Sequence, residues 1–117
     1  MRKTHNPETP AAVSACHDLL KWMIPHLDKF PRNRRFTLGE RIETGLLEVL
    51  EFLVEAAYHT ASRKKVLGLA NLRLHRVRHL WRLCYELMVI PLQRYRHGSG
   101  LIDDIGRQIG GWVRSAR

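Results

Sequence analysis

Trp22-Met23-Ile24-Pro25-His26-Leu27-Asp28-Lys29-Phe30-Pro31-Arg32 is the densest part of a longer stretch, Trp22 to Tyr58, whose reading decides the fold. A helix interior normally excludes proline, because the ring removes a backbone donor and clashes one turn back. Pro25 nevertheless sits inside a helical pattern of apolar residues, and Pro31 closes that pattern. Beyond the break, Phe36-Thr37-Leu38-Gly39-Glu40-Arg41-Ile42-Glu43 opens a second helix, which Leu47-Glu48-Val49-Leu50-Glu51 continues. Thr37 and Glu40 have capping-box spacing, so a helix start at about Leu38 is expected there.

Working outward, four helical segments emerge and no convincing strand alternation. The first spans about Ala11 to Lys29, with Val13, Cys16, Leu20, Met23, Ile24 and Leu27 on one face and a kink expected at Pro25. The second runs from about Leu38 to Thr60, with Leu38, Ile42, Leu46, Val49, Leu53, Ala56 and Ala57 inward. The third spans about Arg63 to Met88, turning Val66, Leu67, Ala70, Leu74, Val77, Trp81, Cys84 and Met88 inward, and Pro91 separates it from the fourth. That last helix starts near Leu92 and carries Tyr95, Leu101, Ile102, Ile105, Ile109 and Trp112. Gly98, Gly100, Gly106, Gly110 and Gly111 weaken it by up to ~1 kcal/mol per interior glycine, so tertiary packing must hold it. Short connections between long amphipathic helices predict an all-α, antiparallel up-down four-helix bundle over residues 11–117, preceded by a loose tail at residues 1–10.

The 117 residues suit one domain. Twenty Lys and Arg against eleven Asp and Glu leave +9, a surface that attracts polyanions. Cys16 and Cys84 both fall on apolar helical faces and read as reduced core thiols. The N-terminal residues are polar and lack a secretion-type apolar run, and no segment approaches the ~20 apolar residues of a membrane span. A cytoplasmic protein without membrane association is the expectation.

Helices two and three carry more apolar surface than one core needs. Leu47, Leu50, Val54 and Tyr58 form a second stripe on helix two; Leu69, Leu72, Leu80, Leu83 and Leu87 do so on helix three. A second stripe points to a subunit interface; its alternative is a wide stripe filling a fat core.

Charge is segregated as well. Helix two holds Glu40, Glu43, Glu48, Glu51 and Glu55, whereas Arg63 to Arg82 contains seven basic residues and no acid. Asn71, His75, Arg78, His79 and Arg82 share one polar face, where like charges repel unless an anion neutralises them. A phosphate backbone would do so through counterion release. Arg73 and Arg76 project towards the apolar stripes and need partners, a helix-two glutamate across a subunit interface or a groove ligand. Arg32, Arg34 and Arg35 make a second basic patch in the connecting loop. The candidate nucleic-acid-binding set is therefore Arg32, Arg34, Arg35, Lys64, Lys65, Arg73, Arg76, Arg78, His79 and Arg82. Trp22 near Lys29 could stack on a base, although packing against another helix is the commoner role of such a residue.

Catalysis is poorly supported. His75 and His79 have metal-ligand spacing, but their neighbours Arg78 and Arg82 repel a dication and no second ligand pair exists. There is no phosphate-cradling glycine loop, no HExxH and no nucleophile elbow. Arg73 and His79 fit the loose arginine-to-histidine spacing of HEPN-type ribonucleases, yet helical geometry separates them by about a third of a turn. No catalytic residue, metal or cofactor is assigned.

The Trp22–Tyr58 arrangement closely resembles a small bacterial four-helix bundle family. That family includes the accessory protein of diversity-generating retroelements (the accessory variability determinant) and the intervening-sequence protein of large-subunit rRNA. The resemblance covers nearly all of the chain after Pro10 and recurs in Leu101-Ile102-Asp103-Asp104-Ile105-Gly106-Arg107 and Ile109-Gly110-Gly111-Trp112. It implies a non-catalytic, ring-shaped homo-oligomer, a pentamer in the retroelement branch, that binds RNA or DNA. In that branch it also implies association with the element's reverse transcriptase during mutagenic copying of template RNA. The rRNA-associated bundle, of structural or interaction role, is the alternative that the same resemblance implies.

Overall fold

The computed structural model describes residues 9–116, so most of the expected tail lies outside the described residues. Four long helices account for nearly all of it: α1 (Ala11–Asp28), α2 (Glu40–Tyr58), α3 (Arg63–Glu86) and α4 (Leu92–Ser115). No strand occurs among the described residues. Each helix packs on its two neighbours in chain order, and α4 returns to α1, which closes a four-helix bundle.

Prolines, rather than side-chain caps, open three helical segments. Pro10, Pro31 and Pro91 sit at N-cap positions in extended geometry. Each carbonyl accepts the first helical N–H bonds, as Pro10 does from Val13 and Pro31 from Arg34. A proline suits this place because its missing donor would be unsatisfied anyway. Pro25 lies inside α1 close to its end, so the helix continues through it only as far as Asp28.

The start of α2 corrects the sequence expectation. The chain turns helical immediately after Pro31, through a short α segment (Arg32–Arg34) and a π-helical segment (Arg35–Gly39) that leads into α2. Thr37 is therefore inside helical backbone and forms no capping box. Its hydroxyl instead donates backwards to the Asn33 carbonyl at 2.9 Å. The other end of α2 falls at Tyr58 rather than Thr60, which begins a 3-10 turn, Thr60–Ser62.

The end of α3 differs too. Met88 was expected inward, but it is 89% exposed and adopts φ 62°. The Val89 N–H bonds to the Cys84 carbonyl (2.8 Å) and the Met88 N–H to the Tyr85 carbonyl (2.9 Å). These two bonds form a Schellman stop with methionine in the left-handed position that glycine usually fills.

The core follows the apolar periodicity. Cys16, Met23 and Leu27 of α1 meet Ile42, Leu46, Val49 and Leu53 of α2, with Leu67, Leu74, Trp81 and Cys84 of α3 and Ile102, Ile105 and Ile109 of α4. Each fully buried large side chain contributes about 1.5–3 kcal/mol relative to exposure. Ile24, Leu38, Ala57, Tyr95, Leu101 and Trp112 sit half-buried at its edge. Cys16 and Cys84 are free and buried, and burial pushes their thiols up to about 12 and about 11.

Candidate nucleic-acid interface

Gly45 allows α2 and α3 to approach closely, since a Cβ there would fall 2.7 Å from Val77. Alongside this contact runs an open groove of about 520 Å³. Phe36, Thr37, Glu40, Arg41, Thr44 and Glu48 line it from the α2 side, and Arg73, Arg76, Val77 and Leu80 from α3. Arg73 is held by Glu48 of its own chain, Nε to Oε1 at 3.4 Å, so the helix-two glutamate it needs comes from within the subunit. Arg41 and Arg76 have no carboxylate partner among the described residues. Phe36 is 64% exposed at the groove's end, with the Arg32 guanidinium 5.9 Å from its ring centre. Two free guanidiniums beside an exposed aromatic face match the chemistry of a single strand's phosphates and bases.

Around the corner, the polar face of α3 is less bare than its sequence implies. Arg78 pairs with Asp103 of α4 at 3.1 Å and shares a hydrogen bond of 2.8 Å with His75 Nδ1. Arg82 pairs with Glu86 at 3.2 Å. Lys64, Lys65 and His79 are exposed and have no carboxylate partner among the described residues. The existing pairs are solvent-exposed and contribute at most about 1 kcal/mol each. A phosphate can therefore displace the carboxylates of Arg78 and Arg82 at small cost.

The patch at Arg32, Arg34 and Arg35 is helical rather than a loop. Arg35 is occupied, bridging Asp28 at 3.2 Å and Glu43 at 3.3 Å, and so ties α1 to α2. Arg32 is exposed and Arg34 half-buried, both without a carboxylate partner among the described residues. Arg63, at the start of the basic run, has a structural role. Its Nε donates to the Ala56 carbonyl at 2.6 Å, satisfying the open end of α2, and its guanidinium lies 5.8 Å from the Trp112 ring centre.

The second apolar stripe divides in two. Leu47, Val54, Tyr58, Leu69, Leu72, Leu83 and Leu87 are exposed, Tyr58 by 81%. Leu50 and Leu80 are half-buried against the core. Trp22 is half-buried, edge-on to Trp81 with ring centres 6.0 Å apart, and flanked by His26 and His97. No group of three or more His, Cys, Asp or Glu side chains is placed to hold a metal among the described residues. Among those residues, no helix is long and apolar enough to cross a membrane.

Phe36 and Arg41 are the groove residues that sequence reasoning missed. A helix start at Leu38 places Phe36 outside the helix and hides its relation to Arg32, whereas Arg41 falls within the expected helix but outside its apolar face. The available signal was Pro31, which opens a helix as readily as it closes one. Once the chain turns from Arg32, the i, i+4 spacing of Arg32 and Phe36 brings the two together.

Comparison with curated proteins and with solved structures yields no match. A family model described as bAvd-like matches residues 12–116, from the second residue of α1 to just past the end of α4. That match takes in the whole four-helix unit and every element lining the groove, so the chain belongs to the bAvd-like family.

Proposed function

We propose that this protein is a non-catalytic accessory factor that binds nucleic acid electrostatically and supports a retroelement reverse transcriptase during mutagenic copying of template RNA. The observation that carries the reading is the α2–α3 groove, where exposed Arg41 and Arg76 form no ion pair among the described residues and lie alongside exposed Phe36. The chain's +9 charge adds long-range attraction, and family membership supplies the accessory role. Contacts of this kind engage phosphates and stacked bases, and so hold RNA, DNA or a hybrid with little sequence preference.

The exposed stripe of Leu47, Val54, Leu69, Leu72 and Leu83 supports assembly into a ring-shaped homo-oligomer, a pentamer by family resemblance. Repetition of the groove around a ring raises affinity through multivalency without any new contact. Binding is tested by fluorescence anisotropy of labelled RNA, DNA and hybrid strands over a salt series. Tight binding that weakens steeply with salt, without cleavage, supports the reading; no binding at low salt overturns it. Light scattering tests assembly, where Leu72→Glu should shift an oligomer to monomer. A wild-type monomer at working concentration overturns the ring.

A further inference from the structure

A second cationic cluster lies away from the α2–α3 groove, where the end of α1 meets the start of α4. His26 and Lys29 come from the α1 end, Arg94 and His97 from the first turns of α4. Trp22 lies beside both imidazoles, its ring centre 4.3 Å from that of His26 and 4.9 Å from that of His97, and Arg94 and Lys29 are near enough to repel a charge on His26. None of the four has a carboxylate partner among the described residues, and the nearby Asp28 is engaged by Arg35. The Nδ1 atom of His26 is buried and has no hydrogen-bond partner. Positive charge gathered from two helices without a counter-charge is costly unless an anion joins it.

We propose that His26, Lys29, Arg94 and His97 form an anion site that takes one phosphate group against the Trp22 edge of the α1–α4 seam. The two imidazoles supply N–H donors, and Lys29 and Arg94 supply fixed charge. A strand of polynucleotide is one source of that phosphate, and this source rests on the function proposed above; a free phosphate ester is the other.

Occupancy is linked to protons. His26 is held below its usual pKa, first by burial of the ring and then by Arg94, Lys29 and His97. On α3, Trp81 packs edge-on against Trp22 and does not ionise. A bound anion reverses the repulsion, raises the proton affinity of His26 and binds more tightly as that ring charges.

The test follows the imidazole resonances of the full-length protein by NMR, with His26→Gln and His97→Gln used for assignment. Sulfate is the first probe, because its charge is constant across the histidine range, and chloride holds the ionic strength fixed. Saturable movement of the His26 and His97 signals, about tenfold tighter at about pH 5.5 than at about pH 8, supports the site. Its loss in Lys29→Gln/Arg94→Gln, with the other histidines unmoved, supports the assignment of ligands.

A single-stranded oligonucleotide is the second probe. Movement with the strand but not with sulfate supports the polymer source, and movement with sulfate supports a site open to free phosphate. Signals unmoved by either probe overturn the proposal. If the strand binds elsewhere while these two histidines stay still, this site fails and the nucleic-acid function stands. If no strand binds, that function fails, and the sulfate arm still decides this site.

Discussion

Gly98 of α4 lies against the indole of Trp81, close enough that a Cβ on the glycine would fall 2.7 Å from three ring atoms. The same indole donates its N–H to the Tyr95 carbonyl at 3.0 Å, so α3 and α4 are locked by one contact and one hydrogen bond three residues apart. Trp81 is fully buried and has little room to move aside. Gly100 sits in the same helix with nothing within 4 Å of its added Cβ. The two glycines therefore separate intrinsic helix propensity from packing. Gly98→Ala should destabilise by about 1–2 kcal/mol, overpacking outweighing the helical gain. Gly100→Ala should stabilise by up to about 1 kcal/mol. Urea unfolding of both variants checks the difference in sign.

Met88 stops α3 with a positive φ that a side chain tolerates poorly. The left-handed conformation costs roughly 1–2 kcal/mol, and glycine's entropy returns part of the gain. Met88→Gly should therefore raise stability by about 0.5–1 kcal/mol in thermal or urea unfolding. A loss instead would mean that the exposed methionine side chain is covered in an assembly.

Arg73 and Glu48 join α3 to α2 across the groove mouth with both side chains over a third exposed or close to it. Solvent screens such a pair. A double-mutant cycle with Arg73→Ala and Glu48→Ala should give a coupling under about 1 kcal/mol. The Glu48→Ala variant frees a third groove guanidinium and should tighten nucleic-acid binding.

His26 makes stability depend on pH. Its folded pKa lies below the unfolded value of 6.5, so the unfolded chain binds the proton more readily. The cost is absent well above 6.5, sets in as pH falls through that value and is complete below the folded pKa. Wild-type melting temperature should fall on acidification through this window, and His26→Gln should show a smaller fall over the same range, measured in chloride.

Much of the bundle is legible in the sequence because burial obeys helical periodicity. Every inward position expected on α3 from Val66 to Cys84 is buried, and Pro91 marks the α3–α4 break. The start of α2 is not legible, because the Thr37–Glu40 spacing imitates a capping box and a π-helical insertion carries no 3.6-residue signature. Met88 continues the apolar pattern of α3, but a stop of its kind is normally announced by glycine. The groove depends on register between helices. Nothing in the basic run from Arg63 to Arg82 says that Glu48 and Asp103 will neutralise Arg73 and Arg78 while Arg76 stays free.

The central claim, that the free guanidiniums of the α2–α3 groove hold phosphates, is tested most directly by the salt dependence of RNA binding in Arg41→Ala/Arg76→Ala. Each phosphate contact contributes about 0.7–0.9 to the slope of log affinity against log salt, so the account predicts a slope shallower by about 1.5 per subunit engaged. A double variant that binds with the wild-type slope and affinity would contradict it.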